Sequence, residues 1–363
     1  MKGDEPRRLP RGARILVITL RRLGDVLLTT PLVRSLRRGF PGAHLDLLVF
    51  RGSEGILAGN PDIDQVLSMS ERPSQIETLA LLWRLRRRYD LVVSTQAGDR
   101  PTFFALAAGT WRVGMLPERG GRGAWWKRQV YQIGVEPQEA THRVTQLLRL
   151  ARAAGVEPCA ELVCPQGVPG AVPTIEPPYA VLHPNPFYAY KRWTHEGWRG
   201  LATALRKRGL TVVVTGGPAA GERAYLDRLW EGEGAPIHRL DGRMDWPDLT
   251  RLLAGARIYV GADTSMTHLA AASGCPTVAL YGPTSPRLIG PWPVGGLDRA
   301  WEAQGTIQRR GNVWVVQNPL PCLPCEKLGC DGHLESRAQC LDELSLRQVL
   351  VAVDEALVAP RSG

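Results

Sequence analysis

The sequence predicts an α/β protein of two domains, each built on a parallel sheet, and three observations carry that expectation. The chain has 363 residues, more than a single hydrophobic core ordinarily serves. Short β-branched runs alternate with segments of helical period along most of its length, the mark of βαβ units. Residues 156–178 hold Pro158, Pro165, Pro169, Pro173, Pro177 and Pro178, a composition suited to a linker. Domains are therefore expected over residues 1–170, which include the linker, and 171–340, with a closing helical segment over residues 341–363.

Strands are expected at residues 14–20, 45–50 and 90–95 in the first half, and at 179–183, 211–215, 257–261 and 276–281 in the second. Helices fill most of the gaps. After Gly295 the alternation fails, a Cys-rich segment follows, and residues 344–357 read as the final helix.

With 44% hydrophobic and 22% charged residues, the composition is that of a soluble globular protein rather than a disordered or membrane one. No apolar run reaches membrane-spanning length and residues 1–8 carry no apolar leader, so a cytoplasmic protein is expected. The net charge of +10 raises a nucleic-acid partner, yet only five of the 45 basic residues are lysine, and the arginines scatter over the helices without a face of interleaved aromatics. No nucleic-acid partner is expected. The basic runs Arg34-Ser-Leu-Arg-Arg38 and Arg84-Leu-Arg-Arg-Arg88 read as solvated helix faces, or else as a surface drawn to an anionic membrane or a phosphorylated acceptor.

Four segments carry candidate chemistry. Ile15-Leu-Val-Ile-Thr-Leu-Arg-Arg-Leu-Gly-Asp25 is a buried strand, a loop containing Gly24, and a helix start at Asp25. Ligands of open α/β sheets bind beyond the carboxyl ends of strands, so Asp25 stands where a catalytic group would serve, although on spacing alone it reads more readily as a cap of its helix. Val181-Leu-His-Pro-Asn-Pro-Phe-Tyr-Ala-Tyr-Lys-Arg-Trp193 ends a strand in a loop that delivers Lys191 and Arg192, cations able to clamp a phosphate or merely to lie on the surface beside the following helix, with Trp193 and Trp198 as core. Thr211-Val-Val-Val-Thr-Gly-Gly-Pro-Ala-Ala-Gly-Glu222 is a strand, a glycine turn and a helix start. It lacks the glycine fingerprint of dinucleotide sites, and no P-loop occurs in the chain, which counts against a nicotinamide enzyme and a P-loop kinase. Glu222 could bond a ribose hydroxyl or merely stabilise the helix start.

The fourth segment is Gly261-Ala-Asp-Thr-Ser-Met-Thr-His-Leu-Ala-Ala-Ala272. A strand ending at Gly261 feeds a helix whose first N–H groups form an anion site, and Ala270 to Ala272 let that helix lie close to the sheet. Asp263 would repel a phosphate, which suits it to a sugar or to orienting the turn. His268 falls one helical turn after Thr264 and either faces the site or is a satisfied core histidine.

Asp263-Thr-Ser-Met-Thr-His-Leu-Ala-Ala-Ala272, followed by Leu280-Tyr-Gly-Pro-Thr-Ser-Pro286, resembles the donor-site signature of glycosyltransferase family nine, the lipopolysaccharide heptosyltransferases. Leu23-Gly-Asp-Val-Leu-Leu-Thr-Thr-Pro31 and the Lys191-Arg-Trp turn are similar to that family too, in the same order and over nearly the whole chain. The resemblance implies a GT-B fold: two Rossmann-like doubly wound domains facing across a cleft, the N-terminal one on the acceptor side and the C-terminal one binding the nucleotide sugar, with the closing helix of residues 341–363 packing back on the N-terminal domain. It further implies Asp25 as catalytic base, Lys191 on the phosphates, Glu222 on the nucleoside side, and Asp263, Thr264, Ser265, Met266 and His268 in the donor turn, with Gly24 and Gly261 as supporting loop residues. One departure is the loop Asn185-Pro-Phe-Tyr-Ala-Tyr190, where some members are richer in hydroxyls.

The implied activity is inverting transfer of a heptose or similar sugar from a nucleotide-diphosphate donor, ADP-heptose foremost, to a lipopolysaccharide core or related acceptor that is lipid-linked or phosphorylated. No cofactor is expected for catalysis, and peripheral contact with the cytoplasmic membrane face is in keeping with such an acceptor. The alternatives are a transferase acting on another glycan and a nucleotide-sugar-binding scaffold without catalysis. Asp62-Ile-Asp64 is a metal-binding pattern in other glycosyltransferases, but behind Asn60-Pro61 it reads as turn chemistry. Cys322, Cys325, Cys330 and Cys340 have a spacing compatible with a structural zinc or iron–sulfur site, or with reduced thiols tying the C-terminal tail.

Overall fold

The computed structural model describes residues 9–118, 124–167, 175–232 and 237–360. It divides into two compact units, 1–165 and 166–363. The boundary expected at 170/171, together with Pro169 and Pro173, lies outside the described residues.

The first unit runs β1 (Arg14–Ile18), α1 (Leu23–Leu27), α2 (Thr30–Gly39), β2 (His44–Phe50), β3 (Gln65–Met69), α3 (Gln75–Leu85), β4 (Tyr89–Ser94), α4 (Asp99–Ala108), β5 (Gly109–Met115), α5 (Ala124–Val130), β6 (Ile133–Val135) and α6 (Arg143–Ala153). Its sheet has the order β3-β2-β1-β4-β5-β6 with every pair parallel, the doubly wound Rossmann order. Strand order reverses between β1 and β4, so a crevice for ligands opens at their carboxyl ends. β1, β2 and β4 bury almost every side chain, as strands covered on both faces must. The proline-rich segment is not a free linker from its start. The Cys159 N–H donates to Ser35 Oγ at 2.8 Å and the Val163 N–H to Thr30 Oγ1 at 3.0 Å, which ties residues 159–163 across α2.

The second unit runs β7 (Tyr179–His183), α7 (His195–Lys207), β8 (Thr211–Val214), α8 (Ala220–Trp230), β9 (His238–Arg239), α9 (Trp246–Gly255), β10 (Ile258–Ala262), α10 (Ser265–Ala272), β11 (Thr277–Leu280), α11 (Pro286–Ile289), β12 (Ile307–Arg310), β13 (Val313–Val316), α12 (Gln339–Asp342) and α13 (Leu346–Val358). Its sheet order is β12-β13-β11-β10-β7-β8-β9, and here the reversal falls between β7 and β10. Only β12 runs antiparallel to its neighbour.

The strand-helix alternation does fail after Gly295, but not into irregular structure alone: β12 and β13 follow one another in a hairpin whose two-residue loop is Gly311-Asn312, with Gly311 at φ 53°. Val349, Ala352, Val353 and Ala356 of α13 are buried in one core with Leu280 and Trp314 of the second sheet. Trp314 Nε1 also donates to Glu355 at 3.0 Å, and Trp193 Nε1 to the Leu344 carbonyl at 2.8 Å. Trp193 and Trp198 are core as expected, edge to face at 5.3 Å. No helix among the described residues is long and apolar enough to cross a membrane.

Candidate functional site

In the first unit the loop after β1 is fixed by its neighbour across the switch point. Gln96, two residues beyond β4, accepts from the Leu20 N–H at 2.7 Å and donates to the Leu20 carbonyl at 2.9 Å, so one carboxamide pins that loop in both directions. The chain then turns into α1, which starts at Leu23 and places both Gly24 and Asp25 in its single full turn rather than in the preceding loop. Asp25 is not an N-cap: the cap position is Arg22, and no side chain caps the helix.

The Asp25 carboxylate instead lies between two guanidinium groups, with Oδ1 3.3 Å from Arg143 Nε and Oδ2 3.8 Å from Arg21 Nη1. Oδ1 is buried and accepts no hydrogen bond among the described residues, so charge attraction holds it while its lone pairs remain available. Arg143 opens α6 and donates to the Thr95 carbonyl at 3.2 Å. Burial brings its guanidinium down to about 10, helped by the Arg21 charge and opposed by Asp25. A cavity of about 420 Å3 opens in front of Asp25, lined among others by Arg21, Arg22, Arg72, Phe50 and Gln96. With Glu71 also in the lining, three arginines face two carboxylates, a basic excess that suits an anionic ligand presenting a hydroxyl.

In the second unit the corresponding switch point gathers Lys191 and Asp263. Lys191 closes a short 3-10 turn after β7, Asp263 follows β10, and Lys191 Nζ donates to Asp263 Oδ2 at 2.5 Å. Burial works against the Asp263 charge, but Lys191 foremost, then His268 and a bond from Thr284, bring its carboxyl below the ordinary value. An ammonium has three N–H groups, so the pair leaves Lys191 two for a ligand. Thr264 caps α10 by accepting from the Thr267 N–H, leaving the first amides of that helix as an anion site beside the lysine. Ser265 is half-buried at the helix start, whereas Met266 and His268 are buried beneath it. Gly261 has a specific reason to be glycine: a Cβ there would collide with the Tyr259 hydroxyl, which bonds Thr267 at 2.9 Å under the helix.

Glu222 sits in the first turn of α8. Burial raises its carboxyl above the ordinary value, although a backbone bond from Ala219 and the Arg192 charge pull the other way. Gly217 leaves room for it, since a Cβ at that position would meet the carboxylate. Arg192 lies over the Tyr225 ring at 4.6 Å, on the same side of the unit.

The model of glycosyltransferase family 9 (heptosyltransferase) matches residues 78–295, more than half of the chain and inclusive of the Lys191, Glu222 and Asp263 segments. The chain belongs to glycosyltransferase family 9. Lipopolysaccharide heptosyltransferase 3 of Escherichia coli K12 is 27% identical over 74% of this chain and 82% of its own length. Lipopolysaccharide heptosyltransferase 1 of Pseudomonas aeruginosa is 28% identical over 96% and 99%. Among solved structures, the E. coli heptosyltransferase WaaC with ADP aligns over 94% of this chain and 99% of that one, at 23% identity and a TM-score of 0.69. The fold is thus that of the GT-B heptosyltransferases, with Rossmann-like parallel sheets in both units, and the protein is a glycosyltransferase.

Three features of this family 9 member escaped the sequence. Arg143 is one arginine among many and lies far from Asp25 along the chain, so only the fold pairs them. His183 ends β7 with Nδ1 3.0 Å from Thr215 Oγ1, and burial pushes its imidazole down to about 4. Asn185 is buried, and neither atom of its carboxamide finds a partner among the described residues; its segment stood out only as a departure from the family pattern.

Asp62 and Asp64 are turn residues, as their spacing suggested. Asp62 pairs with Arg34 at 2.8 Å and Asp64 with Arg37 at 2.5 Å. The four C-terminal cysteines are free thiols. Burial first, then the nearness of Cys325, Cys330 and Cys322, pushes the Cys340 thiol up to about 12. Among the described residues no three His, Cys, Asp or Glu side chains are grouped so as to hold an ion. Cys340 is core beside Leu341, and the Cys330 sulfur accepts from the Gln339 N–H at 3.3 Å.

Proposed function

We propose that this enzyme transfers a heptose from ADP-heptose to a lipopolysaccharide-core acceptor with inversion at the anomeric carbon. The observation that carries the reading is the placement of complementary groups at the switch point of each sheet: a base beside a basic cavity in the first unit, and a cation with open helix amides in the second. Asp25 takes the proton of the acceptor hydroxyl, whose oxygen attacks the anomeric carbon as the bond to the diphosphate breaks. Lys191 and the first amides of α10 receive the charge that develops on the departing ADP, so catalysis needs no metal. Asp263 orients Lys191, and Glu222 with Arg192 receives the nucleoside. The arginines of the Asp25 cavity hold the anionic groups of a phosphorylated or lipid-linked acceptor. Relatives that carry the heptosyltransferase name, and one solved with ADP, support the choice of sugar and base. Such an acceptor places the enzyme in the cytoplasm, peripheral to the inner membrane.

A thermal-shift panel of ADP-, GDP- and UDP-sugars tests the donor. A ligand at a hundredfold excess over its Kd stabilises by about 2.7 kcal/mol. ADP-heptose is expected to raise the Tm by several degrees, with GDP- and UDP-sugars giving little. No response to any donor would favour a scaffold without catalysis.

A further inference from the structure

Large apolar side chains of the first unit stand exposed on three neighbouring helices: Ile76, Leu79 and Trp83 on α3, Phe103 and Leu106 on α4, and Trp125 on α5. Ile76 is 80% exposed, Trp83 79% and Trp125 74%, far beyond ordinary partial exposure. Positions 76, 79 and 83 fall on one face of α3, while Leu81 and Leu85 on the other face enter the core. α4 has the same division, with Phe104, Ala105 and Ala108 inward. α3 packs beside α4 and α4 beside α5. The Arg87 N–H joins the ends of α3 and α4 through the Ala107 carbonyl at 2.8 Å, and Phe103 stacks on Trp126 at 5.0 Å. Single exposed apolar residues are common, but a group spread over adjoining helices marks a surface meant to be covered.

Charge identifies the cover. Arg84, Arg86, Arg87 and Arg88 at the end of α3 are all exposed, as is Arg100 at the start of α4. The other basic run is committed internally, with Arg34 on Asp62 and Glu161, Arg37 on Asp64, and Arg38 on Glu161. Exposed indoles beside an arginine cluster suit the headgroup level of an anionic bilayer, whereas a two-fold dimer through this face would set the same arginines toward one another. The face also adjoins the Asp25 cavity. The loop leading into α3 supplies Glu71 and Arg72 to the cavity lining, and Arg100 of α4 donates to the Glu71 carbonyl at 2.8 Å.

We propose that the exposed face of α3, α4 and α5 docks on an anionic lipid bilayer, with Trp83 and Trp125 at headgroup level and the Arg84–Arg88 cluster on lipid phosphates. Docking there presents the Asp25 cavity to an acceptor still anchored in the membrane, a consequence that rests on reading that cavity as the acceptor subsite.

Co-sedimentation of the full chain with vesicles tests this. Wild type is expected to sediment with vesicles containing phosphatidylglycerol, and about tenfold more weakly with phosphatidylcholine alone. A triple variant Ile76→Ser, Leu79→Ser, Trp83→Ser and a separate triple variant Arg84→Gln, Arg87→Gln, Arg88→Gln should each lose about tenfold or more on the anionic vesicles. Their Tm, their shift with ADP, and transfer to a delipidated, water-soluble acceptor should match wild type. The vesicle result thereby stands apart from any failure of the acceptor reading. The proposal is overturned if wild type does not bind anionic vesicles or if the apolar variant binds them like wild type. It is equally overturned by a lipid-free dimer that the apolar variant converts to monomer, which would assign the face to a second copy.

Discussion

Asp25→Asn is expected to lower the rate of sugar transfer by about 10³-fold, the scale of a positioned general base, while the Kd for ADP stays within a factor of two or three of wild type. Asparagine keeps the shape of the side chain and removes its ability to take a proton. Donor affinity should survive because the proposed donor groups, Lys191 and the α10 amides, belong to the other unit. The same change leaves the buried Arg143 without its carboxylate partner, so a modest fall in Tm is expected, and activity should be compared well below the new midpoint. Single-turnover transfer assays with ADP titration make the check. Turnover near the wild-type rate would remove Asp25 as the base.

Lys191→Met is expected to act twice. It removes a charge-assisted contact to the diphosphate, worth about 1.5–3 kcal/mol or roughly 10- to 100-fold in Kd. It also strands Asp263, which is buried and keeps its carboxyl charged largely through Lys191, and an orphaned buried partner costs roughly 3 kcal/mol of stability. The double variant Lys191→Met/Asp263→Asn separates the two effects, because a neutral amide needs no counter-charge. Its Tm should recover most of the loss, and its affinity for ADP should not. Calorimetric binding and thermal melts on the single and double variants measure both. Recovery of affinity in the double variant would show that Lys191 serves the fold rather than the donor.

The parts of this protein legible in the sequence were those whose signal is local. The strand-to-helix order around Asp25 and Asp263 read correctly, apart from Gly24, which belongs to α1 rather than to the loop, because a buried run and a helix start each leave a mark within a few positions. β5 was missed because Gly109 and Gly114 break its β-branched pattern. Both are required by neighbours, since a Cβ at Gly109 would meet the Tyr89 carbonyl and one at Gly114 the Tyr131 ring. The β12–β13 hairpin did carry a signal, the Gly311-Asn312 pair between two short runs, but the Cys-rich stretch beyond it drew the reading toward irregular structure.

Pairings distant in sequence were out of reach. Lys191 and Asp263 were each singled out for separate duties, phosphate binding and a sugar or turn role, and only the fold shows them as one ion pair. Asp25 read more readily as a helix cap than as a carboxylate held between Arg143 and Arg21, because capping is decided by neighbours in sequence and ion pairing by neighbours in space.

The most direct measurement is NMR of the product formed from ADP-heptose and a soluble, heptose-free fragment of lipopolysaccharide core. One added heptose is expected, with an anomeric configuration opposite to that of the donor, and about 10³-fold slower product formation with Asp25→Asn. Retained configuration, or an enzyme that binds ADP-heptose and transfers nothing to such a fragment, would contradict this expectation.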